Sequence, residues 1–300
     1  MILDFLSSRP QYVKINSVNA KSENSKIMKE STTISNTIIT STGAPQGSVL
    51  SPILFTTYTN DSQISSDNVH LIKFADDTTI QGLLSSTCND DEFLEAVSGF
   101  VKWCDDHHLH LNIKKTKEMI IDFRKKKPQI EPLYIKNECV DRVKSYKYLG
   151  VTIDDQLDWH EHLPNVYKKV NSRLYFLRKL KSFHVDNTLI KLFYKATIES
   201  ITSFCLICWG GNSRKNEINK INRDIIKSEK ICANSFLHLE EMYVYQCQTK
   251  LKNIIKDHTH PLHHLIISNE RSGRIRHICC RTERYYKSFL PHAIRVSPTI

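Results

Sequence analysis

Two adjacent aspartates, Asp76 and Asp77, stand between Leu71-Ile72-Lys73-Phe74 and Thr78-Thr79-Ile80. Strand formers flank the pair on both sides, whereas aspartate is disfavoured inside strands and common in turns. The stretch is therefore expected to fold as a hairpin with both carboxylates at its bend. Two carboxylates at one tip repel each other, and a cation between them relieves the repulsion. Magnesium, held by carboxylates and substrate phosphates, suits such a tip. A solvated acidic turn has the same pattern, so the pair takes its meaning from what surrounds it.

Before the hairpin, Ile2 to Leu6 reads as a turn of helix, broken at Arg9-Pro10, and Tyr12 to Ile15 reads as a strand. The polar stretch 16–37 reads as a long loop, an insertion into a strand pair. In Gly43-Ala44-Pro45-Gln46-Gly47, two glycines bracket a proline, a turn that lets backbone approach a ligand closely. Ser51-Pro52 then opens a helix reaching Tyr58. After the hairpin, residues 90–109 repeat apolar side chains at helical spacing, and 119–123, 133–135 and 146–153 read as strands.

Past Trp159 the chain changes character. Helices are expected at 163–180, 189–209 and 218–239, the second buried nearly all round in its later half. Lys168, Lys169 and Arg173 lie off the apolar stripe of the first. Charge follows the same division: residues 1–160 hold 18 Lys and Arg against 21 Asp and Glu, and residues 161–300 hold 24 against 11. A basic back half suits a polyanion, nucleic acid before an acidic membrane. The expected class is α+β, an antiparallel sheet with packed helices over 1–157, then a helical basic domain over 158–240 and a basic region over 241–300.

Nine cysteines at irregular spacing make no disulfide framework and point to a reducing nuclear or cytoplasmic compartment. No basic segment precedes the first apolar residues, and the apolar run 198–209 is too short to span a bilayer, so no membrane association is expected.

Together, Thr42 to Pro52 and Phe74-Ala75-Asp76-Asp77 resemble the paired signatures of reverse transcriptases, those of non-LTR retrotransposons above all. The resemblance continues through Trp103-Cys104, Leu109 to Lys117, Tyr148-Leu149-Gly150-Val151 and Cys208-Trp209 to Cys280-Arg281-Thr282 and Ser288-Phe289. It implies a polymerase palm followed by a thumb-like domain, with RNA template and DNA primer or duplex as partners. It also implies two magnesium ions, with Asp76 and Asp77 as ligands. Gly43, Pro45, Gln46 and Gly47 would lie beside template and nucleotide. Lys115 would neutralise the triphosphate or protonate the departing pyrophosphate, a choice that Lys114 and Lys117 beside it blur, and Tyr148, Leu149 and Gly150 would grip the primer end. Arg271, Arg274, Arg276, Arg281 and Arg284, interleaved with Tyr285 and Tyr286, join Lys168, Lys169 and Arg173 as nucleic-acid contacts.

One departure stands out. The family's further catalytic aspartate, upstream of the Gly-x-Pro-Gln-Gly turn, has no counterpart here: Asp4 falls in a stretch resembling the connection after it. The chain thus reads as beginning in mid-palm, with little or no polymerase activity expected of this polypeptide. A non-catalytic RNA- or DNA-binding remnant is the alternative.

Residues 112–180 also resemble the amino-terminal module of AlkB homologue 8, a tRNA-modifying protein. That enzyme's iron chemistry needs a His-x-Asp, and His184-Val185-Asp186 has the spacing but lies between helices. Cys205 and Cys208 read as core, and the late cluster His258, His260, His263, His264, His277, Cys279 and Cys280 as surface.

Overall fold

In a computed structural model of the chain, residues 5–19, 29–41, 43–64, 66, 68–83, 91–267, 270–271 and 274–297 are described. They divide into two units, 1–111 and 112–300. Mixed helices and small, mostly antiparallel strand pairs make the class α+β, as expected.

In the first unit, β1 (Arg9–Gln11) pairs with β4 (Ile38–Thr40), and between them β2 (Lys14–Asn19) pairs with β3 (Lys29–Ile34). The described residues of the polar stretch read as a loop thus fall mostly in a ribbon, β2 and β3, that interrupts the outer pair. Its Ile15, Val18, Thr32, Thr33 and Ile34 are β-branched, and that stiffness outweighs the polar composition. The helix α1 (Leu50–Tyr58) follows the glycine-bracketed turn, then β5 (Val69–Phe74), β6 (Asp77–Gly82) and α2 (Asp91–Asp106). Val97 and Cys104 on α2 are buried with Val69. Tyr58 donates its hydroxyl to the His107 carbonyl, and Trp103 stacks on the His107 ring at 4.3 Å, tying α1 to the end of α2.

The second unit opens with short pairings. β7 (Lys117–Glu118) runs parallel to β10 (Asp141–Arg142), enclosing the hairpin of β8 (Tyr134–Ile135) and β9 (Glu138–Cys139). The strand expected at 119–123 does not form. The buried Asp122 carboxylate instead accepts the Arg124 backbone N–H at 2.9 Å and the guanidinium at 2.9–3.1 Å, curling the chain locally. Residues 146–153 are not one strand but β11 (Ser145–Tyr148) and β12 (Val151–Asp154), folded back at Leu149-Gly150.

The helices are α3 (His162–Ser182), α4 (Asn187–Tyr194), a π-helical turn Lys195–Glu199, α5 (Ser200–Ser203), α6 (Leu206–Trp209), α7 (Lys215–Cys232) and α8 (Leu239–Lys256). They are followed by α9 (His263–Ile267), the ribbon of β13 (Glu270–Arg271) and β14 (Arg274–Ile275), α10 (Glu283–Lys287) and α11 (Phe289–Val296). Leu163, Val166, Val170, Leu174 and Leu177 put one stripe of α3 into the core, where Trp209, Ile221, Ile225 and Leu251 meet it. Val151 and Trp159 share that core.

The single helix expected over 189–209 is bent and then broken. Thr197 and Ser200 return their hydroxyls to the carbonyls four residues back, which accompanies the wide turn. Phe204 is extended and Cys205 left-handed at φ 50°, and the Trp209 indole donates back to the Phe204 carbonyl at 3.0 Å. The helix expected over 218–239 likewise ends at Cys232, where Ala233 turns left-handed, and restarts at Leu239 behind a capping box formed by His238 and Glu241.

Candidate functional site

The hairpin forms, in register Leu71↔Ile80, Lys73↔Thr78 and Phe74↔Asp77, but its bend falls one residue earlier than expected, so that only Asp76 is in the turn and Asp77 opens β6. Ala75 and Asp76 are its two-residue turn, and Ala75 has φ 52°, a position that usually takes glycine in hairpin turns of this length. Asp76 and Asp77 are exposed. Behind them Lys73 donates to the Ser62 hydroxyl at 2.6 Å and to the Thr59 carbonyl at the end of α1. Strand alternation then turns Ile72 and Phe74 the other way, 42% and 61% exposed. At the hairpin's base, Glu92 on α2 accepts from Ser66 at 2.5 Å and Asn68 at 3.1 Å. Hydrogen bonds from Ser66, then Asn68, hold that carboxyl below its ordinary range. A Cβ on Gly82 would run into the Phe93 ring, so glycine there lets α2 pack against the strand end.

Gly43 and Gly47 both have positive φ, 67° and 82°, with open space where a Cβ would stand. Their conformation, rather than crowding, requires glycine. Arg9 donates to the Gly43 carbonyl at 2.7 Å, and the Ser51 hydroxyl donates to the Pro45 carbonyl. Ser48 accepts the Ser51 N–H at 3.1 Å at the start of α1. Gln46 is left exposed at the apex.

In the second unit, Lys115 lies in a turn closed by its own N–H on the Asn112 carbonyl at 3.0 Å, and its side chain is exposed. Lys117 is committed to Asp141 at 2.6 Å, whereas Lys114 is exposed like Lys115. Leu149 and Gly150, with φ 45° and 92°, form a tight turn between Tyr148 and Val151. A Cβ on Gly150 would meet the Phe204 ring at 3.2 Å.

Lys168, Lys169 and Arg173 are exposed along α3. Arg276 and Arg281 are exposed as well, while Arg284 is half-buried with its guanidinium 3.9 Å over the Phe123 ring. Arg295 covers the Tyr286 ring at 3.6 Å. The side chains of Arg271 and Arg274 lie outside the described residues; their backbones pair across β13 and β14.

Among the described residues, one group of three potential metal ligands converges, Asp154, Asp158 and His160, which sequence reasoning missed. Its bonding is that of a loop clasp. Asp154 is buried and accepts the N–H groups of Gln156, Asp158 and Trp159 at 3.0–3.1 Å. Asp158 takes His160 at 2.5 Å and Arg214 at 3.1 Å. The hydrogen bond to Asp158 pushes the His160 pKa up. Burial works to raise Asp158, but the hydrogen bonds from His160 outweigh it and hold its carboxyl low. The Asp-x-x-x-Asp-x-His spacing was the available signal.

Next to this clasp, His162 is buried between Trp159 and Trp209, accepts the Thr152 N–H at Nδ1, and has no partner at Nε2. Burial first, with Lys169 adding, lowers its pKa to about 4. Asp186 of the His-x-Asp pair is the N-cap of α4, accepting from Thr188 at 2.8 Å, a structural use of the carboxylate.

Residues 9–153 match the family described as reverse transcriptase (RNA-dependent DNA polymerase). Residues 159–200 match alkylated DNA repair protein alkB homolog 8, N-terminal, later in the chain than the 112–180 read from sequence. The chain is 25% identical over 195 residues to the RNA-directed DNA polymerase from mobile element jockey of Drosophila melanogaster, covering 60% of this chain and 20% of that protein. It is 27% identical over 188 residues to the probable RNA-directed DNA polymerase from transposon BS of the same fly, 58% and 20% covered. For the X-element protein the identity is 26% over 213 residues, 65% and 23% covered. The chain spans about a fifth of the length of these curated relatives. No solved structure matches it. The resemblance to reverse transcriptases of non-LTR mobile elements, read from the motifs, is borne out.

Proposed function

We propose that this chain is part of an RNA-directed DNA polymerase of a non-LTR retrotransposon, with palm elements over 1–157, a thumb-like domain over 158–240 and a basic region over 241–300. The observation that carries the reading is the Asp76-Asp77 hairpin tip inside the stretch that matches the reverse transcriptase family. RNA template and DNA primer or duplex are the partners.

Two exposed carboxylates are hard oxygen donors, the set that suits magnesium, and Asp76 and Asp77 are its ligands in this reading. When bound, paired magnesium ions activate the primer hydroxyl and balance triphosphate charge. Gln46 offers a polar contact at the apex of a glycine-hinged turn, and Lys115 an exposed ammonium for a phosphate. Tyr148, Leu149 and Gly150 make the turn that would meet a primer end. Lys168, Lys169, Arg173, Arg276 and Arg281 supply sequence-independent phosphate contacts.

Among the described residues, no third His, Cys, Asp or Glu joins Asp76 and Asp77. A pair alone under-ligates two ions, so this polypeptide binds nucleic acid but incorporates little or no nucleotide by itself. The test is primer extension by the purified chain on an RNA template with magnesium, beside binding measured across a salt series. Incorporation abolished by Asp76→Ala would overturn the inactivity. Binding without salt dependence would overturn the polyanion surface.

A further inference from the structure

The loop between α8 and α9 brings two imidazoles together. His258 Nδ1 lies 3.1 Å from His263 Nε2, with the rings 4.6 Å apart and steeply inclined. The opposite nitrogen of His263, Nδ1, lies 3.0 Å from the Ile254 carbonyl. A carbonyl only accepts, so Nδ1 carries the proton and Nε2 presents a lone pair. Ile254 is in the last turn of α8, whose final carbonyls lack helical partners, and His263 satisfies one of them. A backbone carbonyl holding one imidazole N–H is also the arrangement that fixes the tautomer and ring direction of a metal-bound histidine.

We propose that His258 Nδ1 and His263 Nε2 form a two-imidazole site for a divalent transition-metal ion of the zinc type, distinct from the hairpin carboxylates. Nitrogens bound to one tetrahedral zinc at about 2.0–2.1 Å stand about 3.3 Å apart, close to the separation the loop already provides. Without metal, the His258 Nδ1 proton occupies the gap. On binding it moves to the exposed Nε2 of the same ring, so two neutral imidazoles lose no net proton. Water completes the coordination.

Among the described residues, no third His, Cys, Asp or Glu converges on the pair. His260 accepts the Leu262 N–H at Nδ1, which leaves its proton on Nε2 and removes it as a ligand in that tautomer. Asp257 accepts from the Thr259 N–H and hydroxyl through one oxygen, 3.0 and 2.6 Å. His264 is exposed on the first turn of α9.

Zinc titration of the whole chain, read at the imidazole nitrogens by nitrogen-15 NMR, tests the proposal without interference from cysteine binding. Saturable shifts of His258 Nδ1 and His263 Nε2 with one equivalent are expected. Affinity should fall at least tenfold in His258→Ala and in His263→Asn, which keeps a donor for Ile254, and stay unchanged in His260→Ala. Nitrogens that do not respond to zinc, or unchanged affinity in both variants, would overturn it.

Discussion

The Lys73 ammonium lies 2.6 Å from the Ser62 hydroxyl, on the face of the hairpin opposite Ile72 and Phe74. Ser62 and Thr59 are both buried, so this cation satisfies oxygens that water does not reach. Lys73→Met should destabilise the first unit by about 1–3 kcal/mol, the worth of hydrogen bonds from a charged donor, although the Ser62 hydroxyl still donates to the Thr59 carbonyl at 3.0 Å. Hydrogen exchange of the Ile72 and Phe74 amides, which bond across to β6, reads the change directly. Unaltered protection would mean that the lysine is dispensable.

Ala75 takes the positive φ that its turn demands. Ala75→Gly should therefore stabilise the hairpin by up to about 1 kcal/mol, the left-handed strain relieved exceeding the added chain entropy. Chemical denaturation compares the two, and a fall in stability would show that the turn is not strained.

Asp154 holds the loop between β12 and α3 by three backbone N–H bonds. Asp154→Ala should cost roughly 3 kcal/mol, since buried donors lose a charged acceptor. Asp154→Asn should cost less. If the cluster is a clasp, a chelator leaves the melting temperature of His258→Ala, which lacks the proposed zinc pair, unchanged, and a drop in that variant would reassign the cluster to metal.

His162 makes stability pH-dependent. Its folded pKa, about 4, lies below the ordinary 6.5, so the unfolded chain binds the proton more readily. Stability contributed by the neutral ring is full above about pH 6.5 and is lost as pH falls towards 4, by roughly 3 kcal/mol in all. His160 acts oppositely, but it is about half exposed and solvent screens it. Denaturation midpoints measured from pH 7 to 4 should fall steeply in the wild type and less in His162→Gln. Parallel curves would remove His162 as the cause.

The hairpin, the glycine-hinged turn, α1, α2 and α3 were all legible because each is specified locally. Alternation, turn residues and helical periodicity act within a few residues of chain. The 119–123 segment was misread because its apolar pattern suits a strand, yet Asp122 and Arg124 bind each other first. The break at Cys205 was invisible for a different reason. Nothing in the local pattern says that Phe204 must turn out of the helix.

The sequence by itself determined that Asp76 and Asp77 share a strand-flanked tip, that glycines bracket Pro45 and that the basic residues fall late. Those features need only the covalent order of side chains and their local propensities. Only the tertiary structure decided which face of β5 is buried, because alternation distinguishes two faces without saying which meets α1. It also decided that Lys117 is spent on Asp141, that Arg284 lies on Phe123, and that His258 meets His263. Each depends on where the chain returns after a turn, and that is fixed by packing far from the residues concerned.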